Sequence, residues 1–219
     1  MKPLPEATLL NPHAGSHLIT PDLREQAASV RAGDRSVAEF PYYVERYGER
    51  GRLFGHSDSA WIARLATCSD AEMDEQVDWL STVLASRGMP RWLMVRHLRT
   101  LYEELCASAP ERAQKYEALL QTADRLAAKL AAVLPEAVAE RLGREFESRV
   151  DAEWRMRLPH MGRILVAAVV DEHLGLANAV PTVLAWAADG ERFPATWVDA
   201  VHATIAAARG AITLDGAPF

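Results

Sequence analysis

The sequence predicts an all-α protein, a compact single-domain bundle of about eight helices preceded by an extended N-terminal arm. Three observations carry that reading. Apolar residues recur at intervals of three and four through most of the 219-residue chain, the spacing that gathers them on one face of a helix. Proline and glycine fall between the periodic stretches, where helices start and stop. The one apolar run rich enough in β-branched residues to make a buried strand finds no partner strand elsewhere in the chain.

Residues 1–20 carry Pro3, Pro5, Pro12 and Gly15 without periodic apolar residues and read as the extended arm lying over the domain. Thr20 and Pro21 supply an N-cap and a first-turn proline for a short helix ending near Gly33. A second helix begins at Pro41 and runs through Tyr43, Val44 and Tyr47. Ser57 ahead of Asp58, Trp61, Ile62 and Leu65 predicts a further short, capped, amphipathic helix. Ser69 and Glu72 form a capping-box pair before the stripe Met73, Val77, Leu80 and Leu84, and Gly88 is the stop. Beyond Pro90, the stripe Met94, Leu98, Leu101 and Leu105 predicts an antiparallel neighbour of the helix before it, because the break is so short.

Pro110 opens the cleanest helix, with Tyr116, Leu119, Ala123, Leu126, Leu130 and Leu134 on one face up to Pro135. From Glu136 the apolar set Val138, Leu142, Phe146, Val150, Trp154 and Leu158 repeats every four residues, which drifts around a helix and predicts several neighbours. The stretch from His160 to Leu174 is apolar on every side over 164–170 and is read as a central helix. Two more helices, over 181–188 and 194–209, are stopped by Gly190 and Gly210. The bundle domain therefore spans 21–210, and 211–219 is read as a tail.

Composition narrows the function classes. The formal net charge is -6 and all but three of the 24 basic residues are arginine, which disfavours a nucleic-acid partner. The opening residues lack the apolar stretch of a signal peptide, and the longest apolar run falls far short of the roughly 20 residues that span a bilayer. The expectation is a cytoplasmic protein without a membrane segment, whose two cysteines, Cys68 and Cys106 inside helices, are reduced and buried. Phosphate-loop, nucleophile-elbow, His-Glu-x-x-His and Cys-x-x-Cys motifs are missing from the sequence. The six tryptophans are spread along the chain and read as core and interface residues.

Two sets of residues remain as carriers of chemistry. In the segment 40–56, Tyr43, Arg46, Tyr47, Arg50 and Arg52 stand among three glycines. Guanidinium groups bind carboxylate or phosphate bidentately, tyrosines give flat contact area, and glycine lets backbone approach a ligand. The alternative is a solvated helix face. The second set, His97 or, separately, the cluster of Asp171, Glu172 and His173, could hold a metal or haem, or could be a core histidine and structural ion pairs. The leading expectation is a non-catalytic binding or regulatory module for a small anionic ligand or a partner protein. The runner-up is a metal- or haem-dependent helical enzyme or sensor, so catalysis and cofactor stay open. A homodimer is a further possibility if the alanine-rich last helix packs Trp197, Val198, Val201 and Ile205 against a second copy.

Overall fold

Caps, kinks and close helix contacts set the element boundaries, and the computed structural model describes them over residues 4–215. Among the described residues there are ten α-helices and no strand beyond one isolated bridge. They are α1 (Leu23–Glu39), α2 (Tyr42–Leu65), α3 (Asp70–Ser86), α4 (Arg91–Ser108), α5 (Ala113–Ala131), α6 (Glu136–Arg149), α7 (Ala152–Arg157), α8 (Met161–His173), α9 (Ala179–Ala187) and α10 (Ala195–Asp215). By contacts the chain divides into two units. One comprises the residues up to Trp79 together with Val95–Arg125, the other Leu80–Met94 together with the residues from Leu126 onward. The division falls inside α3, α4 and α5.

In the first unit, the arm is not simply extended. Its chain doubles back, so that the Ala7 amide donates to the His17 carbonyl at 2.9 Å and the Ile19 amide to the Pro5 carbonyl at 3.0 Å. Ala7 and Ile19 thereby reach Ala60 of α2, and this small apolar cluster holds the arm in place. Asp22, not Thr20, caps α1, accepting from the Arg24 amide at 2.8 Å. Thr20 instead donates to the buried carboxylate of Glu25, which also accepts from Arg112 and the Tyr116 hydroxyl, each at 2.7 Å. A carboxylate that is 2% exposed is tolerable there because its oxygens are saturated with donors.

α1 runs past Gly33, the expected stop, because Gly33 sits against α2: a Cβ at that position would lie 2.7 Å from the His56 ring. α2, from Tyr42 to Leu65, is two helical stretches joined across a kink at Gly48, not before Ser57, and the φ of 63° at Gly48 is backbone that glycine adopts without strain. Ser57 therefore caps nothing, and its hydroxyl bonds back to the Phe54 carbonyl at 3.1 Å. Ser69 does cap α3, accepting from the Glu72 amide at 3.3 Å. Cys68 lies in the turn before α3 and not in a helix, and both cysteines are free and half-buried.

The second unit is arranged around α8, buried continuously from Met161 to Asp171. α6, α9 and α10 pack against it. The α6–α8 contact is closest where Gly162 faces Gly143, since a Cβ on Gly162 would lie 2.5 Å from the Gly143 carbonyl oxygen and 2.7 Å from the Phe146 Cβ. The repeat of four from Glu136 does not continue to Leu158. Val150 is extended (φ -104°, ψ 153°) and α7 starts afresh, which lets Trp154 fold onto Phe193 and Trp197, with ring centroids 5.1 and 5.7 Å apart. Trp197 is fully buried and donates to the Ala187 carbonyl at 3.0 Å. α10 passes through Gly210, the expected stop, to Asp215, so residues 211–215 are helix, while 216–219 lie outside the described residues.

Substitution separates the two kinds of glycine. Gly162→Ala meets backbone and a packed Phe146, a clash of about 1–3 kcal/mol that outweighs the roughly 1 kcal/mol of helix propensity gained. Gly210→Ala meets nothing within 4 Å and should gain about 0.5–1 kcal/mol. Urea unfolding is expected to show a lower midpoint for the first variant and a higher one for the second.

Candidate functional site

The aromatic residues of segment 40–56 form one cluster at the start of α2. Tyr42 is buried, with its ring 6.1 Å from Tyr47 and 6.5 Å from Tyr43, and Phe40 lies 6.4 Å from Tyr43. Burial raises the hydroxyl pKa of all three tyrosines, so they stay neutral. Arg46 lies over two of these rings, 5.6 Å from the Tyr42 centroid and 5.1 Å from Tyr47, and donates to the Tyr42 hydroxyl. Beyond the Gly48 break, Arg50 is exposed and lies 5.6 Å from the Phe54 ring centroid.

Arg52 belongs to a different group. Its Nε donates to Asp34 Oδ1 at 2.8 Å and its Nη1 to Glu49 at 3.2 Å. Asp34 Oδ1 also accepts from His56 Nε2 at 2.8 Å. The Arg52 guanidinium, with His56, holds the Asp34 carboxyl below its usual range, so Asp34 is an ionised acceptor and His56 carries its proton on Nε2. Asp34 and His56 are absent from the sequence-derived site, and the only local hint of their pairing is Gly33, which gives the His56 ring room.

His97 is enclosed between two hydroxyls. Ser36 Oγ lies 2.8 Å from Nδ1 and Ser59 Oγ 2.8 Å from Nε2. Ser59 gives its own proton to the Gly55 carbonyl, so it accepts from Nε2–H and leaves Nδ1 to accept from Ser36. Burial lowers the His97 pKa to about 4. The ring is thus a neutral, part-buried histidine with both nitrogens engaged.

Asp171, Glu172 and His173 do not converge. Asp171 is fully buried and accepts the Arg91 amide at 2.9 Å and its guanidinium at 3.3 Å, while Arg91 also donates to Thr82 at 2.8 Å. Asp171 thereby serves as the acceptor for an otherwise orphan amide in the first turn of α4. Burial raises its pKa to about 6 against the opposing pull of Arg91. Glu172 is paired bidentately with Arg209 at 2.8–2.9 Å, and His173 is exposed. Among the described residues no group of three or more His, Cys, Asp or Glu is placed to hold a metal ion.

The face of α10 offered for a second copy is used within the chain, where Trp197, Val201 and Ile205 are buried and α10 packs on α6 and α8. No helix among the described residues is long and apolar enough to cross a membrane. No family model, curated protein or solved structure matches the chain.

The two shifted groups give opposite pH dependences. His97 has a folded pKa of about 4 against about 6.5 unfolded, so the native state binds fewer protons and its stability is lost as pH falls through that window. Relative to His97→Gln, wild type should lose about 3 kcal/mol between pH 6.5 and 4, measured by urea unfolding at each pH. Asp171 has a folded pKa of about 6 against about 3.9 unfolded, so the native state binds more protons and stability falls as pH rises from about 4 to 6. Relative to Asp171→Asn, wild type should lose about 2–3 kcal/mol across that rise, and a flat difference would mean that Asp171 is not desolvated.

Proposed function

We propose that this chain is a non-catalytic helical binding module whose α2 segment presents guanidinium groups to a small anionic ligand or to an acidic stretch of a partner protein. The observation behind it is Arg50, an exposed guanidinium resting on the Phe54 ring, in the segment that also carries Arg46, steered by two tyrosine rings. A ring contact uses the flat face of a guanidinium and orients it, while its in-plane N–H groups keep the fork geometry that carboxylate and phosphate accept. Arg52 is committed to Asp34 and Glu49 and Arg46 already donates to the Tyr42 hydroxyl, so Arg50 is the guanidinium on which the reading chiefly rests, with Arg46, Tyr43 and Tyr47 as the aromatic, basic wall of the segment. The neutral, enclosed His97 and the separate partners of Asp171 and Glu172 favour this reading over a metal- or haem-dependent one.

The test is titration of the protein with inorganic phosphate and with a glutamate-rich peptide, followed by isotope-edited NMR of the arginine Nε–H signals. Binding is expected to weaken at least about tenfold in the Arg46→Ala/Arg50→Ala double variant, as loss of charge-assisted hydrogen bonds implies. Phosphate binding alone would mark a small-molecule site, peptide binding alone a partner surface. Unchanged binding in the double variant would remove this segment as the site.

A further inference from the structure

The first unit carries a second group of rings that the α2 segment does not include. Trp79 of α3 is 58% exposed, unusual for the largest apolar side chain unless the surface has a use. It is not splayed into solvent but held against Trp61 of α2, with centroids 6.3 Å apart and ring planes at 75°. Trp61 is met on the arm side by His17, at 6.2 Å and 79°. Three rings from three separate segments thus stand with successive planes close to perpendicular. The arm is pinned there, since the His17 carbonyl accepts the Ala7 amide and Leu18 is bridged to Glu6.

The electrostatics around these rings have one sign in excess. α3 carries Asp70, Glu72, Asp74, Glu75 and Asp78 and no lysine or arginine. Arg125 neutralises Asp74 and Asp78, and Arg64 opposes Glu72 at the Cys68 thiol. Glu75 is exposed and four residues before Trp79, hence on the same face of the helix. Burial lowers the His17 pKa, so its ring is neutral at pH 7 and contributes a wall, not a competing charge.

We infer that Trp79, Trp61 and His17 form a recognition site for an organic ammonium ion, with Glu75 supplying the counter-charge. Aromatic faces attract a cation within about 6 Å of the ring centroid, and do so best for soft, weakly hydrated alkylammonium groups. Rings 6.2–6.3 Å apart and steeply inclined leave positions within that reach of two of them at once. A plain apolar partner would not account for the acidic helix that carries Trp79. The same chemistry is offered by a free quaternary amine and by the methylated lysine of a peptide. This site is distinct from the guanidinium segment of α2, and its ligand has the opposite charge, so either assignment stands or falls without the other.

The experiment titrates the full chain with choline, with its neutral carbon isostere dimethylbutanol, and with a short trimethyllysine peptide, reading the indole N–H signals by NMR. A saturable shift of the Trp61 and Trp79 signals is expected with a cationic probe, at least about tenfold weaker with the neutral isostere. Trp79→Leu, which keeps an apolar side chain but removes the ring, should weaken cation binding by about tenfold or more, and Glu75→Gln by about two- to threefold. Choline binding alone assigns a small-molecule site, peptide binding alone a side-chain site, and binding of both the shared ammonium chemistry. Absence of a saturable shift with either cation, equal binding of the isostere, or full binding by Trp79→Leu would overturn the inference.

Discussion

A helix without a polar face has no side along which it can meet water, and α8 is such a helix, with every residue from Met161 to Asp171 buried. Covering it on all sides is the constraint that the second unit obeys. α6, α9 and α10 each take part, and the nearest of them gets close only because Gly143 and Gly162 remove two side chains from the contact. The same enclosure decides how charges on the helix are handled. Arg163 is 6% exposed yet charged, and it is met by the Trp92 ring at 4.7 Å and by Glu136 at 2.7 Å. Asp171, at the other end, is met by Arg91. A pair this deep gains little net stability, because desolvation offsets most of the attraction; what it supplies is a fixed register for the helices that carry it.

The first unit meets a different requirement. The buried face of α1 is Glu25, Gln26, Ala28, Ser29, Ala32, Gly33 and Ser36, small and polar where α8 is large and apolar. Such a face contributes little transfer energy, so its packing on α2 depends on short approach and on satisfying each buried polar atom. Glu25 is met by Tyr116 of α5, Ser36 by His97 of α4, which in turn reaches Ser59 of α2, and the half-buried Asp34 by His56 of α2. Hydrogen bonds of this kind are directional, which makes the seating of α1 on its neighbours specific in a way that apolar area alone would not.

Periodicity made the helices legible, and caps made some of their ends legible, as at Ser69 and Gly88. The misread boundaries share a cause. Gly33 and Gly210 look like stops in a one-dimensional reading, but both lie inside helices, the first because a neighbouring ring needs the space. Val150 looks helical in a repeat of four, yet it is extended because Trp154 is drawn to Phe193 and Trp197 from elsewhere in the chain. The site follows the same division. The contacts of Arg46 with Tyr42 and Tyr47, and of Arg50 with Phe54, lie within a few residues, so the sequence alone brings these residue types together. Asp34, one of the two partners of Arg52, is 18 residues away, and the meeting of His17, Trp61 and Trp79 depends on three segments whose approach only tertiary packing decides.

Arginine enrichment by itself says little about function in this protein, because many of these guanidinium groups tie one helix to another. Arg91, Arg96, Arg112, Arg125, Arg163 and Arg209 each reach a carboxylate on another helix, and a planar, multiply donating fork is suited to tying two helices at a fixed distance. Exposed pairs of this kind contribute about 0–1 kcal/mol each and much of their effect is geometric. An arginine with a ligand to bind should show another environment, with its flat face supported and its edge turned to solvent. Arg50 on the Phe54 ring has that environment and Arg52 on Asp34 does not, although the two stand two residues apart in the same sequence motif. Residue type marks the segment as a candidate, but only the contact each guanidinium makes separates a helix tie from a recognition group.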